Sequence, residues 1–402
     1  MVLKKKYELV FLFLLLVSAL LFRIHIENTN YCTPDSVCYL EVSENILSGK
    51  GIVIDRNIEQ ASDKDLQKMS REEYFAIWPL GYPACIVAVS YVTTLPPLWA
   101  SKLLNLILLA LDFYLLYLLF SGSAYLPMYY FCSYAMLEMS SYTWSENLFI
   151  PFFLIFILSI KEIDDNPVFT IKNAALLCLA LLGMFLSRYA SVIFYASTFL
   201  ILLYYIRRKE FKKVKVLFYG LLVSTILAGL YLFNNYIQTG YSTGIPRVNT
   251  QEYTSLELMR KFFIGIFNQL HIIKQFGISG TLDLLFYIFS VVIQLGIMVY
   301  LFYILATNSL AKKIAQRSKL MVIVALMYLV FLIGVTSVST IDPFDYRTLL
   351  PFSFPVFIVM LAEVEERLAV NHKNKTIIIV KAFFIFSLIL NLPKKYLLEL
   401  LF

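Results

Sequence analysis

The chain has 402 residues, 60% of them hydrophobic and only 15% charged, with a mean hydropathy of +0.74. That balance excludes an ordinary soluble domain, which is nearer half apolar and a quarter charged. The net charge of +7 does not indicate nucleic-acid binding, because the Lys and Arg residues fall in short clusters between apolar runs, as orientation signals do.

Apolar runs lie at 7–24, 82–95, 98–120, 123–140, 145–160, 172–187, 189–206, 214–233, 282–305, 320–338, 349–363 and 376–392. Most are long enough to be read as bilayer spans. The first follows Lys4, Lys5 and Lys6 and is succeeded by Arg23-Ile24-His25 rather than by a small-residue cleavage site, so it reads as an uncleaved first span. The run 82–95 is short and bracketed by Pro79, Pro83, Pro96 and Pro97, which break helices. Taking it as an interfacial or re-entrant helix puts the clusters Lys161/Lys172, Arg207 to Lys215, Lys312 to Lys319 and Arg367/Lys373/Lys375 on the same side as Lys4. The fold expected is thus an all-α polytopic membrane protein of about eleven transmembrane helices, N-terminus cytoplasmic and C-terminus outside. Only Lys394 and Lys395 conflict with that scheme. No internal repeat and no soluble terminal domain is visible.

This topology places on the outer face a long first loop, 25–97, then the turns at Ser140–Asn147 and Arg188–Tyr189, a loop at 234–281 and a turn at 339–348. The first loop opens with Thr33-Pro34-Asp35-Ser36 at the head of a helical run, and Asp is a good helix cap. Tyr39 follows one turn on, then Asn45 and Gly49-Lys50-Gly51. A charged insert, Asp55 to Glu73, is expected to be mobile. Trp78-Pro79-Leu80-Gly81-Tyr82-Pro83 ends the polar part. In the loop 234–281, Leu256 to Ile273 is amphipathic and reads as an interfacial helix, a candidate lid. Three His and five Cys, with no metal-binding or phosphate-loop motif, exclude a zinc site of familiar spacing and an ATP motor within the chain. Cys32 with Cys38, Cys32 or Cys38 with Cys85, and free thiols are equally open.

Asp-Ser-x-x-Tyr, then Asn-Ile-x-x-Gly-x-Gly, then Trp-Pro-x-Gly-Tyr-Pro resembles the first external loop of the GT-C glycosyltransferases, nearest the protein O-mannosyltransferase and lipid A aminoarabinose transferase branch. Ser145-Glu146-Asn147, Ser187-Arg188-Tyr189, Asn234-Asn235-Tyr236 to Gly240 with Gly244-Ile245-Pro246-Arg247, and Asp345-Tyr346-Arg347-Thr348 to Pro351 resemble that family's later motifs, in order. The sequence departs from the family at Ser36, where relatives carry a second acid, at Asn234 and at Thr348.

The resemblance implies a single GT-C-like membrane domain over 1–402 in the plasma (cell inner) membrane. It would transfer a sugar, with inversion, from a polyprenyl-phosphate donor to a protein, glycan or lipid acceptor on the extracytoplasmic face. Asp35 would be the general base. Glu146 would be the partner carboxylate, holding an acceptor group or joining Asp35 around a divalent cation (Mg or Mn); Ser36 disfavours the cation by supplying no second carboxylate. Arg188 and Arg347, with Tyr39, Lys50 and Tyr189, would surround the lipid phosphate, and Trp78, Tyr82 and Tyr236 would line a groove for the lipid tail. The residues admit plainer roles too: helix caps for Asp35 and Glu146, a snorkelling side chain for Arg188, and a structural ion pair of Arg347 with Asp342 or Asp345. A polysaccharide polymerase or ligase is the nearest alternative function. A transporter or flippase of lipid-linked sugars would need charges at mid-membrane and broken helices.

Overall fold

A computed structural model describes residues 2–27, 29–56, 71–120, 124–165, 170–245, 254–270, 281–307, 316–336, 344–370 and 374–392. Outside them lie most of the 55–73 insert, Pro246-Arg247, His271, Ile273, Lys312, Lys313, Asp342, Lys373, Lys394 and Lys395, as do the side chains of Lys4 to Lys6 and Arg317. The described chain is mostly helical. Among the described residues, five helices are long and apolar enough to cross a membrane: Tyr7–Ile26, Pro97–Leu119, Tyr189–Arg207, Phe211–Thr239 and Ser318–Thr336. A sixth is added if the broken pair Tyr134–Ser141 and Glu146–Asp165 counts as one span. This is an integral membrane protein.

The chain falls into two compact units, Tyr31–Leu109 with Tyr142–Arg247, and Met1–Asn30 with Ala110–Ser141 and Val248–Phe402. In the second of these, α1 (Val2–Ile26) is the predicted first span. The run 123–140 is not one span. It forms α5 (Leu126–Tyr129), a 3-10 turn at Tyr130–Cys132 and α6 (Tyr134–Ser141), since Pro127 follows Leu126 and Ser133 turns extended between the pieces. These pieces are buried on all sides, which explains a hydrophobic run that is not a span. Arg23 donates to Glu138, to Ser141 Oγ at 3.0 Å and to the carbonyl of Asn391. Near the start of α1, Glu8 accepts from Tyr129 and Lys381. The later helices are α11 (Ser255–Leu270), α12 (Thr281–Thr307), α13 (Gln316–Thr336), α14 (Leu350–Val370) and α15 (Asn374–Leu390).

The other unit holds α2 (Pro34–Leu47), an antiparallel ribbon of β1 (Val53–Arg56) and β2 (Arg71–Tyr74) pairing Val53 with Tyr74, and α3 (Gly81–Thr93). The ribbon was not foreseen; it pairs the two ends of the charged insert. At 13 residues, α3 reaches roughly 20 Å, too short for a bilayer, in line with an interfacial or re-entrant helix. The first half of α4 (Pro97–Leu119) also belongs here.

The unit is completed by α7 (Glu146–Asp165), α8 (Ile171–Ser187), α9 (Val192–Arg207) and α10 (Phe211–Thr239). Successive helices alternate in direction, so that α8 and α10 pack in parallel. A Cβ on Gly183 would lie 2.4 Å from the Phe152 ring, and one on Gly220 2.9 Å from Leu177, so glycine sets the close approach of α8 to α7 and α10. This alternation gathers Lys161, Lys172, Arg207, Arg208, Lys212, Lys213 and Lys215 at one end of the four helices. There Asp164 accepts from Lys213 Nζ and the Tyr205 hydroxyl, each at 2.7 Å. The start of α7, the end of α8 and the end of α10 meet at the opposite end.

Candidate active site

The N-terminus of α2 is capped by Thr33, whose Oγ1 accepts from the N–H of Ser36, with Pro34 in the first turn. Asp35 is therefore not the cap. It is half-buried in the first helical turn, where the helix dipole favours a carboxylate. The head of α2 is fastened to the segment before α7 at three points. Trp144 Nε1 donates to Thr33 Oγ1 at 2.8 Å, Ser36 Oγ to the Thr143 carbonyl at 3.0 Å, and the Tyr39 hydroxyl to Ser145 Oγ at 3.2 Å. Tyr142 and Trp144 stack at 4.2 Å. Thus Asp35 and Glu146, 111 positions apart in sequence, sit on two segments tied directly to each other.

The early turns of α4 brace the same junction from beneath. Lys102 Nζ donates to the Tyr31 carbonyl at 3.2 Å and to Thr143 Oγ1 at 3.1 Å, and Asn105 Nδ2 to the Tyr142 carbonyl at 2.8 Å. Both side chains are buried. Sequence reasoning passed over Lys102 and Asn105. The signal was present, because a cation inside an apolar span is costly unless it is paired or functional.

Glu146 is the first residue of α7 and is 1% exposed. Its Oε1 accepts from Arg188 Nη1 at 2.7 Å. Arg188 stands in extended backbone between α8 and the 3-10 turn at Tyr189–Ser191, so it has turned away from the helix axis rather than along it. Snorkelling toward a headgroup does not describe it. The next residue, Tyr189, donates its hydroxyl to the Ala76 carbonyl at 2.9 Å and accepts from Asn235 Nδ2 at 3.1 Å. Asn235, fully buried near the end of α10, also donates to the Ser242 carbonyl at 3.1 Å. The Tyr231 hydroxyl accepts from the N–H of Leu80 at 3.1 Å. The Trp-Pro-Leu-Gly stretch is thereby gripped by the ends of α8 and α10. A Cβ on Gly81 would fall 2.5 Å from the Leu186 carbonyl, and one on Gly244, at φ +77°, 2.6 Å from the Ala76 backbone; only glycine allows either contact.

The structure does not bring every predicted residue to this place. Lys50 is exposed past the far end of α2, roughly 20 Å along the helix from Asp35. Tyr39 and Tyr82 are 1% and 0% exposed, and their rings meet at 5.6 Å beside Phe75 and Trp78. They are core, each contributing about 2 kcal/mol by burial, rather than phosphate ligand and groove wall. The Tyr82 hydroxyl donates to Asn105 Oδ1 at 2.7 Å. Burial, then the neighbouring Tyr39 and Glu146, push the Tyr82 phenol far above its ordinary range. Trp78 is half-buried, whereas Tyr236 is 56% exposed on α10, so these three side chains form no continuous groove.

Arg347 belongs to the other unit and is half-buried in the turn before α14. In that turn Asp345 Oδ1 accepts from the N–H of Thr348 at 2.8 Å, and Thr348 Oγ1 from the N–H of Asp345 at 3.0 Å. The turn is held by Gln269 of α11, which donates to the Tyr346 carbonyl at 3.0 Å, and by the Tyr328 hydroxyl, which donates to the Thr348 carbonyl at 2.9 Å. Among the described residues no group of three His, Cys, Asp or Glu side chains could hold a metal ion. One Glu146 oxygen is engaged by the Arg188 guanidinium. None of the five cysteines forms a disulfide.

Comparison of the chain with protein-family models, with curated proteins and with solved structures finds no match.

Proposed function

We propose that the chain is a membrane glycosyltransferase that takes a sugar from a polyprenyl-phosphate donor and passes it to a hydroxyl or amine acceptor on the extracytoplasmic face. The observation that carries this reading is the separation of chemistry in the α7–α10 unit. One end collects the basic residues, and the positive-inside rule assigns such an end to the cytoplasm. The other end holds a half-buried acid, Asp35, tied to a buried Glu146–Arg188 pair.

An acceptor O–H placed beside Asp35 loses its proton to the carboxylate as its oxygen attacks the anomeric carbon. The bond from that carbon to the phosphate oxygen breaks, its electrons stay with the leaving polyprenyl phosphate, and the configuration inverts. Developing charge on the phosphate is met by the Arg188 guanidinium. Glu146 acts here as a positioning residue: its Oε1 fixes one face of the guanidinium. The donor reaches the site from the bilayer, and the acceptor, whether protein, glycan or lipid, from outside the cell.

The test is transfer from a radiolabelled polyprenyl-phosphate sugar in membranes containing the chain. Release of lipid phosphate, with label moving to an acceptor, is expected from the wild type and not from Asp35→Asn. Undiminished transfer by a normally expressed Asp35→Asn protein would remove Asp35 as the base. Movement of intact donor across the bilayer without release of lipid phosphate would favour a flippase.

A further inference from the structure

Within the unit that contains α12 and α15, an open groove of about 480 Å³ runs between these two helices. Its walls are Ile293, Gly296, Tyr300, Ile379, Phe383 and Phe386. Gly296 sits where an added Cβ would meet nothing within 4 Å, so the glycine opens the groove rather than relieving a crowded contact. The volume far exceeds one water's share of roughly 30 Å³, yet apolar walls give water too few partners to stay ordered. An alkyl chain satisfies such a space.

The groove is polar at one end only. There the Tyr300 hydroxyl and Thr376 Oγ1 lie 3.0 Å apart, and one proton of the pair remains to donate. Thr376 is in the first turn of α15 beside the exposed Lys375, and a helix N-terminus attracts anions. On α14, Arg367 donates to the carbonyl of Leu305 near the end of α12 and pairs with Glu363 at 3.9 Å, so the positive charge at this end of the groove comes from Lys375. An exposed lysine and a hydroxyl pair at the end of a chain-sized apolar slot suit an anionic lipid.

We infer that this groove is a binding site for one anionic phospholipid, an acyl chain lying between α12 and α15 and the phosphate at Lys375, Thr376 and Tyr300. The occupant is a phospholipid rather than a second copy of the chain, because the apolar slot ends in hydroxyls and positive charge. The site is independent of the transferase reading.

Native mass spectrometry of the purified full chain, given dioleoyl phosphatidylglycerol or dioleoyl phosphatidylcholine, tests the site. The wild type should retain one equivalent of phosphatidylglycerol in preference to phosphatidylcholine. Gly296→Phe fills the slot and should retain at least tenfold less phosphatidylglycerol. Lys375→Glu, an exposed change that leaves the slot intact, should lower the preference for phosphatidylglycerol by roughly fivefold or more, since each basic residue near an anionic lipid contributes about that factor. Equal retention of the two lipids by the wild type, or wild-type behaviour of Gly296→Phe, would overturn the assignment.

Discussion

Arg188 Nη1 meets Glu146 Oε1 at 2.7 Å, with the carboxylate side chain only 2% exposed. Removing one member of such a pair leaves the other charge buried, which typically costs 3–5 kcal/mol, whereas replacing both can be nearly neutral. Glu146→Ala should therefore lower the thermal midpoint sharply, and a double replacement, Glu146→Leu with Arg188→Met, should restore much of the loss. If the single and double losses simply add, the two side chains are not coupled.

The separation of capping from acid at the head of α2 gives a second contrast. Thr33→Ala removes a cap worth about 1 kcal/mol and strips Trp144 Nε1 of its acceptor, a further 1–3 kcal/mol or so. Asp35→Asn touches neither. Denaturation should find Thr33→Ala destabilised by about 2–4 kcal/mol and Asp35→Asn almost unchanged, while transfer activity should rank them the other way.

Two glycines offer a matched steric pair. Gly81→Ala drives a methyl group to within 2.5 Å of the Leu186 carbonyl and should cost about 1–3 kcal/mol, as overpacking does. Gly229→Ala, in α10 with open space around it, should be neutral or stabilising by up to about 1 kcal/mol. Equal thermal midpoints for the two variants would mean that the α3–α8 contact yields freely.

Thiol chemistry near the site has a defined pH response. Burial pushes the Cys32 thiol up, with Lys102 opposing it in part, and burial likewise raises Cys85. Only the thiolate is nucleophilic, and a raised pKa lowers its fraction at neutral pH. Maleimide labelling of Cys32 and Cys85 should be slow at pH 7. It should keep rising beyond pH 8.5, where an ordinary thiol begins to level off. A plateau at pH 8.5 would show that both thiols behave as solvated.

Most of the helices were legible in the sequence because apolar runs of sufficient length have few alternatives in a membrane. The exceptions have identifiable causes. The run 123–140 is as apolar as its neighbours, but it is buried all round and broken around Pro127 and Ser133, so hydropathy alone cannot distinguish core from span. The β1–β2 ribbon pairs Asp55 and Arg56 with Glu72 and Arg71, a charged stretch without the alternation that marks a strand. At the site, the order of motifs was visible, but the job of each side chain was not. Tyr39 reads as a phosphate ligand and Tyr82 as a groove wall, and both are core; Thr33 rather than Asp35 is the cap. These assignments depend on contacts between separate segments, such as Tyr39 with Tyr82 and Thr33 with Trp144, which spacing along one chain does not encode.

The contact of Arg23 with the Asn391 carbonyl bears on biosynthesis. Arg23 leaves the ribosome almost at once, yet one of its acceptors is made more than 360 residues later, and Lys381, the partner of Glu8, scarcely earlier. The unit they close cannot be finished until Lys381 and Asn391 have been made, whereas Tyr31–Leu109 and Tyr142–Arg247 are complete by residue 247. A nascent chain stalled before α15 would thus carry one assembled unit and one in which Arg23 and Glu8 still lack their late partners, Asn391 and Lys381.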